Sequence, residues 1–91
     1  MKKEKQFIYN ILALRDYWLK EERAITTKDK LDGFIFSLLA MLDGESGLND
    51  FHYIKLYDAQ TKKYINDGNI FLHETLCAIE RELLNKKDKN S

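Results

Sequence analysis

At 91 residues the chain is long enough for one modest core and too short for two, so its apolar stripes must share a single interior. Fifteen basic and fifteen acidic side chains cancel, and the missing basic field counts against partners held by phosphate neutralisation, DNA and RNA alike. With 44% apolar residues the chain belongs to the globular class, while its longest apolar run, Gly33 to Leu42, is about half of the roughly 20 residues that a membrane span needs.

Met1 to Lys5 is basic, but an amphipathic, charged segment follows it in place of a continuous apolar stretch with a small-residue cleavage site, so no signal peptide is expected. Cys77 stands alone and has no internal disulfide partner, which fits a reducing, cytoplasmic setting. No proline and no Gly/Ser-rich linker marks a boundary, so residues 1–91 read as one domain with frayed ends at 1–4 and 87–91.

Phe7, Ile8, Ile11, Leu12, Leu14, Trp18 and Leu19 recur at three- and four-residue spacing, which predicts a first helix over residues 4–23. Arg15 falls near the centre of that stripe. A buried guanidinium there calls for a carboxylate from Glu22 or from the acidic turn downstream, or for Trp18 beneath it; the alternative is a stem that snorkels to water.

Thr26 or Thr27 supplies a hydroxyl cap, and Leu31, Phe34, Ile35, Leu38, Met41 and Leu42 follow in register for a second helix over 28–43. Gly33, Ser37 and Ala40 form a small-residue stripe on this helix, where a second backbone could approach closely; they are candidate oligomer contacts. Gly44 and Gly47 tolerate the positive φ that ends a helix.

Phe51 to Tyr57 is rich in β-formers with period-two alternation and predicts a strand, reversed by "DAQTKK" into a short return strand at Tyr64 to Asn66. Leu72, Leu76, Ile79 and Leu83 predict a third helix over 69–86, ending in lysines suited to a helix C-terminus. The expected fold class is α+β, in the order α-α-β-β-α, with the hairpin lying on the helices because two strands alone are marginal in water.

Candidate chemistry is sparse. His73, Cys77 and Glu80 share one flank of the third helix at i, i+4 and i+7, and with Glu74 and His52 they are the metal or ligand candidates, but the zincin helix pattern and any CxxC pair are absent. The loop "DGESGLND" offers oxygens at Asp43, Glu45, Ser46, Asn49 and Asp50, yet twelve positions from Asp43 stands Ile54 where a calcium loop needs glutamate, and a solvated turn is the ordinary reading. No phosphate loop or nucleophile elbow is present, and no cofactor is implied.

The stretch "LDGFIFSLLAMLDGES", with "LHE" at Leu72, His73 and Glu74, resembles a family of small uncharacterised bacterial and phage proteins that share an LDGxxFSxLxxLDG helix and a later LHE. The resemblance implies no activity and no site residue. It does pose a pairing: both turns flank the hairpin and are placed to meet in space.

The leading expectation is a non-enzymatic protein-interaction module, an inhibitor, immunity or anti-defence protein that presents Asp32, Phe36, Asp43, Glu45 and Asp50 to a basic protein partner, with Phe36 as the aromatic anchor. The alternatives are a homodimeric accessory protein contacting through the Gly33, Ser37 and Ala40 stripe, and a small metal- or ligand-binding protein using His52, His73, Glu74 and Cys77.

Overall fold

A hydroxyl followed three residues later by an acid begins the central helix. Thr26 Oγ1 accepts from the Asp29 backbone N–H at 3.0 Å, and the Asp29 carboxylate accepts from the Thr26 N–H, a reciprocal capping box. In the computed structural model, which describes residues 2–45 and 52–89, this helix is α2 (Thr27–Leu42). It is preceded by α1 (Lys3–Lys20) and followed by a two-stranded antiparallel hairpin, β1 (Tyr57–Asp58) with β2 (Lys63–Tyr64), and by α3 (Leu72–Lys89). The order is α-α-β-β-α, a small α+β domain as the periodicities predict. Among the described residues no helix is long and apolar enough to cross a membrane.

α1 and α2 are joined at both chemical and steric levels. Gly33 leaves the room in which the Trp18 ring lies: a Cβ built on Gly33 would sit 2.5 Å from the ring. The Trp18 indole N–H then donates to Ser37 Oγ at 2.8 Å, one turn further along α2. At the other side of the joint Lys30 Nζ donates to the carbonyls of Trp18, Leu19 and Glu21 at 3.0–3.2 Å, so a cation from α2 closes the carbonyl end of α1, where the helix dipole favours positive charge. The small-residue stripe predicted as an oligomer contact is therefore corrected at Gly33 and Ser37: Trp18 of the same chain fills it.

Of the two expected settings for Arg15, the structure has the exposed one. Its side chain is 57% exposed and pairs with the adjacent Asp16 at 3.0 Å, not with Glu22 or the acidic turn, because the stripe around it is open to solvent. The strand predicted over Phe51–Tyr57 is shorter than its composition suggests. Residues 52–56 lie outside the paired strands, Phe51 lies outside the described residues, and the paired register is Tyr57 with Tyr64 and Asp58 with Lys63; the Leu56 carbonyl still accepts from the Ile65 N–H at 2.8 Å, and the Ile54 N–H donates to the Leu42 carbonyl at 2.8 Å. Residues 54 and 56 are held further by Asn66, fully buried, whose Oδ1 accepts from the Leu56 N–H at 2.7 Å and whose Nδ2 donates to the Ile54 carbonyl at 2.9 Å. One amide side chain thus replaces two ladder bonds. The segments expected to fray, 1–4 and 87–91, include Lys3, Glu4 and residues 87–89 within helices.

α1 and α3 both pack on α2 and not on each other. The three helices consequently do not enclose a common core. Leu14, Ala24, Met41 and Leu42 are the buried hydrophobic residues among those described, whereas Ile8, Leu19, Leu31, Ile35, Ile79 and Leu83 stay 46–63% exposed.

Candidate functional site

The acidic end of α2 meets the start of α3. Leu42 and Asp43 close α2, and Gly44 turns the chain with φ of 80°, a left-handed conformation that glycine adopts without steric cost. That turn keeps the Asp43 side chain inside. Asp43 Oδ1 accepts from the Leu72 N–H at 2.8 Å and Oδ2 from the His73 N–H at 2.9 Å, so the carboxylate satisfies two of the orphan donors at the N-terminus of α3. Its side chain has no exposed surface.

The same Oδ2 lies 2.5 Å from His73 Nδ1, and His73 Nε2 lies 3.3 Å from Glu45 Oε2. The imidazole is held between a buried carboxylate and an exposed one. Aromatic edges complete its surroundings: Phe36 of α2 at 5.5 Å between ring centroids and Phe71 at 6.4 Å. Phe71 in turn meets Tyr53 edge-on at 5.9 Å, and the Tyr53 hydroxyl is shared between the carbonyls of Asp67 and Ile70. Burial is the main cause that pushes the Tyr53 phenol above its usual range. The chain Phe36, His73, Phe71 and Tyr53 ties α2, α3 and the segment after the acidic turn into one corner.

The predicted residues separate in this corner. Asp43 is corrected from surface contact to buried helix cap, since it bears no accessible side-chain surface for a partner. Glu45 is exposed but turned toward His73, and Asp32 forms an i, i+4 ion pair with Lys28 at 2.5 Å. Phe36 remains 41% exposed. Asp50, Ser46 and Asn49 lie outside the described residues. His73, Cys77 and Glu80 do not converge: His73 turns to Asp43, Cys77 is exposed one turn on, and Glu80 lines a shallow cleft with Lys28, Asp32, Leu83 and Leu84. Neither Glu74 nor His52, both exposed, joins the imidazole. Among the described residues no three His, Cys, Asp or Glu side chains are grouped to hold a metal ion.

Sequence reasoning did pair the two turns that carry Asp43 and His73, on the ground that both flank the hairpin. It missed a second feature. Between α1 and α2 runs an open apolar groove of about 270 Å³, lined by Ile11, Leu12, Leu19, Leu31 and Phe34 with Arg15 at its margin. The available signal was Arg15 within the stripe, since a lone charge there marks a face that the chain itself does not cover.

Compared with protein-family models, curated proteins and solved structures, the chain matches none.

Proposed function

We propose that this protein is a non-enzymatic protein-interaction module whose open helical faces are covered by another polypeptide. The observation that carries the reading is the unfilled interior. The chain exposes 7385 Å², whereas a compact protein of 10.8 kDa exposes about 5,500 Å². Its radius of gyration is 15.4 Å against about 12 Å for a compact chain of this length. Exposed apolar side chains on the helices, among them Ile8, Leu19, Leu31, Ile35 and Leu83, contribute to that surface, and such faces are what a partner's helix or sheet covers.

Small-angle scattering extrapolated to the dilute monomer, with binding of a hydrophobic dye, tests this. An expanded particle that binds dye is expected. A monomer with a radius of gyration near 12 Å that binds none overturns the reading.

A second reading retains the charged corner. Phe36, 41% exposed, stands beside the exposed carboxylates of Asp32 and Glu45 and offers an aromatic anchor for a basic partner, as an inhibitor or immunity protein would. Binding to such a partner should weaken as salt rises, and salt-insensitive binding counts against it.

A further inference from the structure

We infer that the partner is a second copy of this chain, joined reciprocally: the distal half of α3 in each copy enters the α1–α2 groove of the other. The inference rests on the interaction-module reading and names its occupant. Three observations point to self-pairing over a foreign helix.

The first is that the chain carries both halves of one contact. The groove between α1 and α2 lacks an occupant among the described residues, and Ile79 and Leu83 on α3 are 48% and 57% exposed. These two lie at i and i+4, one above the other, and continue the stripe begun by half-buried Leu76. That is the spacing with which an amphipathic helix anchors in an apolar groove. Because α3 packs only on α2 and does not touch α1, it is not the lid of its own chain's groove.

The second is area. The chain's total exposed surface exceeds that of a compact chain of its size by about 1,900 Å², more than the roughly 800 Å² that each partner of a standard interface buries, so two reciprocal contacts do not exhaust it. Two reciprocal contacts related by a two-fold axis bury both features of both copies and close the assembly, so no edge is left for further growth.

The third is charge. Arg15, its side chain 57% exposed, and Lys30 line the groove, and Glu80 and Glu82 flank Ile79 and Leu83 on α3 with Lys86 one turn further on, so the contact favours a seating that sets the Glu80–Glu82 turn, and not the basic end of α3, against the groove's cations. The zero net charge imposes no general repulsion between copies.

The test uses two exposed positions whose replacement leaves the monomer's interior intact. Leu31→Glu spoils the groove and Leu83→Lys spoils the helix. By sedimentation velocity the wild type is expected to be a dimer. Each variant alone, which meets its fault twice, should self-associate about 100-fold more weakly. Mixed in equal amounts, they form a heterodimer with one native contact and one Glu–Lys contact, and affinity should return to within about tenfold of wild type. Circular dichroism of each variant checks that helix content is unchanged.

A wild-type monomer at the highest attainable concentration overturns the proposal. So does a dimer that Leu83→Lys leaves intact, or a mixture that restores nothing. The two readings fail differently: an expanded, dye-binding monomer sinks self-pairing and keeps the interaction module, and a compact monomer removes both.

Discussion

Asp43 and His73, thirty residues apart in sequence, are joined by two hydrogen bonds: the Asp43 carboxylate accepts from the His73 backbone N–H at 2.9 Å and contacts its ring Nδ1 at 2.5 Å. The C-cap residue of one helix thereby caps the first turn of another. A carboxylate placed at a helix N-terminus gains from the dipole, and its complete burial makes each hydrogen bond charge-assisted and hard to replace. Asp43→Ala is expected to cost about 2 to 3 kcal/mol, with Asp43→Asn recovering part of that through its remaining oxygen. Urea denaturation followed at the helix signal measures both. A loss below about 0.5 kcal/mol for alanine would show that water replaces the cap without difficulty.

Trp18 is the chain's one tryptophan, so its fluorescence reports directly on the α1–α2 joint. In Gly33→Ala the new methyl meets the indole 2.5 Å away, and the ring must move. Overpacking of this kind costs about 1 to 3 kcal/mol, which outweighs the gain of about 1 kcal/mol in helix propensity. Net destabilisation with a shifted emission maximum is the expected result. A stabilised variant with unaltered emission would mean that the ring does not rest on Gly33.

Asn66 has no exposed surface and spends both ends of its amide on the backbone of residues 54 and 56. Asn66→Ala leaves the Leu56 N–H and the Ile54 carbonyl, both on half-buried residues, without their partner and opens a cavity at a fully buried position, and should cost about 2 to 3 kcal/mol. Hydrogen exchange at the Leu56 amide should accelerate along with global destabilisation. Retention of its protection would place the holding force elsewhere.

Asn10 presents the opposite case. It is 8% exposed on α1, and its Nδ2 has no hydrogen-bond partner among the described residues. Asn10→Leu removes that unmet donor and improves helix propensity, so stabilisation of about 1 kcal/mol is expected in thermal denaturation. A destabilised variant would show that this amide is bonded in solution.

Glu21 is held at about 2 instead of 4.5, mainly by the Arg23 side chain, whose Nε donates to Oε1 at 2.9 Å. Because the folded value is depressed, the stabilisation is complete above the unfolded value and is lost as pH falls from about 4.5 toward 2. Arg23 is 81% exposed, so salt reduces the effect. The difference in Tm between wild type and Glu21→Gln should be constant near neutrality and shrink through that acid window. A difference that ignores pH would mean that the pair contributes nothing through its charge.

How legible the molecule was depended on the range of the forces involved. Repeating Phe7, Ile11, Leu14 and Trp18 on one side and the Thr26 and Asp29 cap on the other are local signals, which is why α1 and α2 lie within a few residues of the predicted bounds. The Phe51–Tyr57 strand is shorter than its composition suggests because β-propensity expresses what a side chain packs on, and here one buried asparagine takes the Leu56 N–H and the Ile54 carbonyl in place of a continued ladder.

The chain's own sequence determined its helices, its turns at Gly44 and after Asp58, and its neutral charge, since these follow from spacing, caps and composition. Only the tertiary structure decided that Asp43 serves inside as a cap, that Trp18 occupies the Gly33 and Ser37 stripe, and that the α1–α2 groove stays open. The reason is physical: periodicity says that a face is apolar, but which face finds a neighbour depends on the directions in which whole helices meet.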